Sequence, residues 1–134
     1  LTNCPGTNVL GLSYDDAPSG PQQENVSTVN LVAKLATLNQ TATFFVKGSS
    51  IAYNPSVLQS MHNAGHELAV HTWTHTALTT LTNEQIVAEI KYTEAIIFYL
   101  TGQRPRYARS PYGDTDNRVR AIIGAMGYEL VNWD

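Results

Sequence analysis

The feature that most restricts this chain is an alternation of short apolar segments with longer amphipathic ones. Asn8 to Tyr14 (NVLGLSY) reads as a buried strand, followed by a Gly/Pro-rich loop from Ala17 to Pro21. A helix is expected from about Asn25 to Leu38, with Val29, Val32, Leu35 and Leu38 on one face. Ala42 to Val46 (ATFFV) is short, aromatic and apolar, as strands are. Asn54-Pro55 opens a helix, with Asn as N-cap and Pro in the first turn, and Gly65 closes it. His66 to Val70 is a third strand, and Thr82-Asn83-Glu84-Gln85 forms a capping box for a helix ending before Gly102. Pro105 to Arg109 reads as a fourth strand, a helix follows from about Thr115 to Met126, and Tyr128 to Trp133 starts a fifth strand.

Strands that alternate with helices run parallel and are joined by right-handed crossovers, so the fold class is α/β, as an open sheet or a barrel. An open sheet of five strands closes itself with helices on both faces. An eight-unit barrel needs about 250 residues and would be unfinished at this length. The pattern alone does not choose between them.

Composition narrows the partners. With 43% hydrophobic and 14% charged residues the chain can build a core, and its 134 residues make one domain. A net charge of −3 without a Lys/Arg run excludes the basic face that nucleic acid or an anionic membrane requires. No apolar stretch approaches the roughly 20 residues of a membrane span. The sequons Asn25-Val26-Ser27 and Asn39-Gln40-Thr41 lean towards a secreted or cell-wall glycoprotein. Cys4, the sole cysteine, has no partner in the chain.

The polar clusters converge on one edge. Asp15 and Asp16 follow the first strand, His71 follows the third with His75 four residues on, Arg109 to Gly113 follow the fourth, and Asp134 follows the fifth. All are C-terminal strand ends, the active-site edge of sheets and barrels alike. Taken singly each has a plainer explanation: an Asp pair is more often turn chemistry, and His-x-x-x-His recurs by chance. Jointly they outline a site. The His pair can share one face of a helical turn, and two His with one carboxylate is a ligand set of catalytic zinc. Adjacent strand residues face opposite ways, so one Asp as ligand and the other as general base is the natural division. The metal would bring the pKa of a water towards about 7, and an Arg would keep the carboxylate base ionised.

These residues resemble the polysaccharide deacetylases of carbohydrate esterase family 4, with the NodB-type fold. Ser13-Tyr14-Asp15-Asp16-Ala17-Pro18 is similar to the family's Thr-Phe-Asp-Asp-Gly-Pro, His71-Thr72-Trp73-Thr74-His75 to His-Ser/Thr-x-x-His, and Arg109-Ser110-Pro111-Tyr112-Gly113 to Arg-x-Pro-Tyr-Gly. Order and spacing agree across nearly the whole chain, and the stretches 42–48 and 65–75 are most like fungal chitin deacetylases. The resemblance implies Asp15 as catalytic base, Asp16, His71 and His75 as ligands of a divalent metal, and Arg109 as the partner of Asp15. It implies a Tyr112 backbone N–H for the oxyanion, with Pro111 and Tyr112 lining the substrate site. Zinc is the first choice of ion, and cobalt, nickel or manganese suit the same ligands. The implied substrate is chitin or a chitooligosaccharide, deacetylated at N-acetyl groups of β-1,4-linked N-acetylglucosamine. Trp73 is expected to pack under its loop.

Two departures stand out. Ala17 replaces the family's Gly, and a positive φ there would strain the loop. Val131-Asn132-Trp133-Asp134 resembles only the approach to the fourth motif, and the Leu-x-His that supplies the general acid is absent. His62, in a helix, and His66, at the far end of its strand, are poor substitutes. The expectation is a partial (β/α) barrel: residues 1–134 as one C-terminally incomplete domain, a fragment or cleaved piece whose remainder is lost or forms another chain. The alternative is a non-catalytic metal- or glycan-binding relative that lacks the acid.

Overall fold

The computed structural model describes residues 10–20 and 27–133. Five strands form one sheet: β1 (Ser13–Ala17), β2 (Thr43–Val46), β3 (Glu67–Val70), β4 (Tyr107–Ala108) and β5 (Glu129–Leu130). Their spatial order is β1-β2-β3-β4-β5, and every adjacent pair is parallel. Five α-helices connect them: α1 (Thr28–Thr37), α2 (Gly48–Tyr53), α3 (Pro55–Asn63), α4 (Asn83–Thr101) and α5 (Asn117–Ala125).

The strand order resolves what periodicity left open. A doubly wound sheet reverses its order and puts helices on both faces, whereas a sheet wound in one sequence puts them all on one face. Here Phe44, Val46, Leu68, Val70 and Ala108 share a single core with Leu35 of α1, Ile51 of α2, Leu58 and Met61 of α3, Ile86, Ile90 and Ile97 of α4, and Val119 and Ile123 of α5. The alternate strand residues, Ser13, Phe45, Ala69 and Arg109, face the other way, because side chains alternate along a strand. This is barrel winding, and that second face is the barrel interior.

Helix ends follow local chemistry. Thr82 and Gln85 form the capping box of α4, Gly102 closes it with φ 73°, Ser27 caps α1 and Asp116 caps α5. On α4 the buried carboxylate of Glu94 accepts from Lys91 Nζ at 2.5 Å, Arg104 Nη1 at 2.6 Å and the Tyr128 hydroxyl, tying this helix to the approach of β5.

Several expectations shift. β1 begins at Ser13 and runs through both aspartates; Asn8 and Val9 lie outside the described residues, as do Cys4, Asn25 and Asp134. Helix α1 starts at Thr28, and Val29 and Leu38 are exposed while Leu35 is buried, with Leu31 and Val32 packed beside it. A separate helix, α2, precedes the Asn54-Pro55 start and is absent from the sequence reading. Asn54 sits at the N-cap of α3, but its side-chain Nδ2 donates to the Ser50 carbonyl at 3.1 Å instead of capping. No described helix is long and apolar enough to cross a membrane.

Candidate active site

The adjacent aspartates meet at one edge through a β-bulge. Tyr14 pairs with Phe44 and Ala17 with Val46, so Asp15 and Asp16 together oppose the single residue Phe45. Bulges of this kind re-aim side chains. Asp16 absorbs the bend with φ 63°, a left-handed value that Asp tolerates better than most residues. The strict alternation expected for this pair therefore does not hold. The positive φ falls on Asp16 and not on Ala17, which is buried and accepts the ladder hydrogen bond from Lys47 N at 2.9 Å. Ala in place of Gly consequently brings no backbone strain.

Asp15 is held from the barrel interior. Arg109 Nη1 donates to its Oδ1 at 2.7 Å, Nη2 to Ser13 Oγ at 3.1 Å, and Nε to the Val131 carbonyl at 3.2 Å. The guanidinium lies 3.8 Å from the centre of the Phe45 ring. Its side chain is 5% exposed and that of Asp15 29%, so the pair is desolvated on one side only. Asp15 Oδ2 faces His71 Nε2 at 4.0 Å.

Both imidazoles are oriented through Nδ1. His71 Nδ1 lies 2.9 Å from the Arg109 main-chain oxygen. A carbonyl can only accept, so Nδ1 carries the proton and Nε2 presents its lone pair. That is how a ligating His is commonly prepared. Burial lowers the pKa of His71 below the ordinary histidine value, with Asp15 opposing the shift, and the ring is neutral at pH 7. His75 Nδ1 lies 3.1 Å from the Tyr112 hydroxyl, and its Nε2 lies 3.2 Å from Asp16 Oδ1. The segment between the two rings is an irregular loop, not the helical turn expected, with positive φ at Thr72 (65°) and His75 (68°).

One donor atom each from Asp16, His71 and His75 lies within 4.8 Å of the others. An ion bound at about 2.0–2.2 Å in tetrahedral geometry needs donors roughly 3.3–3.5 Å apart. The Asp16–His75 edge, at 3.2 Å, comes close to that spacing, and the neutral His71 supplies a free lone pair. The residues present fit a divalent metal.

The third motif forms a 3₁₀ turn, Pro111–Gly113, with Tyr112 at φ 61°. Pro111 is buried, whereas Tyr112 is 71% exposed with its ring against His75, 4.7 Å between centroids. Trp73 packs its ring over Gly48 and edge-on to Tyr92. His66 and His62 stand apart: His66 Nδ1 accepts from Ala42 N at 3.2 Å at the opposite strand ends, and His62 Nδ1 pairs with Gln103 Oε1. Sequence reasoning missed Ser13 and Phe45, which strand alternation places on the face of Asp15. It also missed Glu89, for which no sequence signal exists.

Residues 2–131 match the polysaccharide deacetylase family. Chitin deacetylase 1 of Cryptococcus neoformans var. grubii is 47% identical over 99% of this chain, which spans 27% of that protein. Chitin deacetylase 3 of C. neoformans var. neoformans is 46% identical over 100% of the chain and 32% of its own length. Among solved structures, the family 4 carbohydrate esterase from Streptomyces lividans in complex with acetate superposes with TM-score 0.85 at 34% identity, covering 93% of this chain and 62% of that one. The chain thus spans about a third or less of these two fungal relatives.

Proposed function

The chain belongs to the polysaccharide deacetylase family, and from that membership we propose that it carries the base and the metal ligands for hydrolysing N-acetyl groups of chitin or chitooligosaccharides. Residues 1–134 belong to a single deacetylase domain. The observation that carries this reading is the juxtaposition of an Arg-clamped Asp15 with the Asp16–His71–His75 cluster. A divalent ion held by those three, zinc before cobalt, nickel or manganese, would supply polarisation of the acetyl carbonyl and acidify the attacking water.

The chain's own groups divide the remaining work. Asp15 Oδ1 is committed to Arg109, so Oδ2 is the oxygen that takes the water's proton. The buried Arg109, fixed by Ser13 and Val131, holds Asp15 Oδ1 and prevents the carboxylate from turning. The Tyr112 N–H serves as oxyanion donor and the Pro111–Tyr112 turn flanks the sugar. His62 and His66 are occupied elsewhere, and neither is assigned the acid's role. Secretion is part of the proposal; it draws on the sequon at Asn39, which lies in an exposed turn.

The test is acetate release from N-acetylchitooligosaccharides by the intact protein with added zinc, compared with Asp15→Asn. Release lost in the variant supports the assignment, and equal release by both overturns it. Oligosaccharide binding without release by the wild type would identify a non-catalytic member instead.

A further inference from the structure

The loop that presents both imidazoles needs an external template. Thr72 is β-branched yet sits at φ 65°, and His75 sits at φ 68°. Such conformations persist only where the surroundings over-determine them. On one side the first turn of α2 supplies donors: Gly48 N to the Thr72 carbonyl at 2.9 Å and Ser49 N to the Trp73 carbonyl at 3.1 Å. Inside the loop, His75 N donates to Thr72 Oγ1 at 3.1 Å.

On the other side stands one carboxylate. Glu89 of α4, one turn beyond the buried Ile86, accepts at Oε2 from Trp73 N at 2.7 Å and from Thr74 N at 2.8 Å. Its Oε1 accepts from Thr74 Oγ1 at 2.8 Å. These are short, charge-assisted bonds. They fall on the two consecutive residues midway between His71 and His75, and the buried face of α4 anchors their acceptor. A shift of Glu89 would move the main chain that sets where both Nε2 atoms point.

We propose that Glu89 is a positioning residue for the Asp16–His71–His75 metal site, acting through the main chain of Trp73 and Thr74 and touching neither metal nor substrate. The proposal rests on the metal-site reading above. It differs from a simple stabilising role, and from a charge effect on the ion, in what substitutions do. Gln can reproduce the fork, its Oε1 accepting both N–H groups and its amide facing Thr74 Oγ1. Asp keeps the charge but falls one methylene short.

The experiment measures zinc affinity of the intact protein by competition with a chromophoric chelator, and the visible absorption of the cobalt form. Glu89→Ala is expected to bind zinc about 10–100-fold more weakly, as loss of a group that orients ligands commonly does. Glu89→Asp should show a smaller loss with a perturbed cobalt spectrum, and Glu89→Gln should stay close to wild type in both. If the Ala variant does not fold, the Asp and Gln pair decides the matter. Wild-type affinity in Glu89→Asp, or a Gln variant no better than Asp, overturns the positioning role while wild-type binding stands. No zinc binding by the wild type overturns the metal-site reading, and this proposal with it.

Discussion

His71 and Arg109 are joined by a hydrogen bond of 2.9 Å from the imidazole Nδ1 to the Arg109 main-chain oxygen, while the Arg109 side chain holds Asp15 at 2.7 Å. One residue therefore orients both the candidate metal-ligand ring and the candidate base, the first through its backbone and the second through its guanidinium. The two duties are separable, because substitution removes only the side chain.

Replacing Arg109 by Ala should consequently split the two functions. Turnover is expected to fall by on the order of 10²–10⁴-fold, the usual worth of a positioned acid or base. Zinc affinity should stay within a few fold, since the carbonyl that fixes His71 remains. Arg109→Lys should behave like Ala in turnover, because a single ammonium cannot reach Asp15, Ser13 and the Val131 carbonyl together. Parallel kinetics and metal titrations check this.

Metal should stabilise the fold measurably. Zinc at about 100 times its Kd adds roughly 2.7 kcal/mol to a protein that binds it only when folded. Thermal melts should therefore rise with zinc, return to the metal-free value with a chelator, and lose most of the rise in His75→Ala. A rise of equal size in that variant would place the ion elsewhere.

Stability should fall on acidification because of His66. Burial lowers its pKa below the ordinary 6.5, and its Nδ1 accepts from Ala42 N, a bond that protonation destroys. The unfolded chain takes up this proton first, so the contribution is whole above about pH 6.5 and shrinks as pH falls through the lowered value. Melting temperature measured in metal-free buffer from pH 8 to 5 should drop. The drop should be shallower in His66→Asn, whose Oδ1 can accept the same bond without titrating.

Gly48→Ala tests how tightly the loop from His71 to His75 is packed. An added Cβ would lie 2.2 Å from Trp73 Cε3 and 2.7 Å from Thr93 Oγ1, so the indole must move. Overpacking of this kind costs typically about 1–3 kcal/mol, readable as a lower denaturation midpoint. Because Trp73 lies in the loop between the two candidate ligands, weaker zinc binding should accompany the loss.

Much of the fold was legible because its local signals agree. The capping box at Thr82, Gly102 beyond its helix and the apolar runs around Phe44 and Leu68 each reflect short-range chemistry, and α4, β2 and β3 lie close to where these place them. The helical face of α1 was misjudged at Val29 and Leu38, since periodicity gives an apolar stripe but not the width of it that the core covers. α2 was missed because GSSIAY has neither a capping side chain nor the length to show a period.

By itself the sequence determined the α/β class, the strand-end location of His71 and Arg109, and the three motifs that identify the family, because these depend on residue type and spacing. Only the tertiary structure decided the rest. Strand order, a property of long-range pairing, showed barrel winding. The bulge opposite Phe45 brought both aspartates to one edge, although alternation would part them. The positive φ lay on Asp16 rather than Ala17, because backbone geometry answers to the partner strand. Glu89 reached the loop between His71 and His75 from a helix that begins eight residues beyond it, a contact written in packing and in no local pattern.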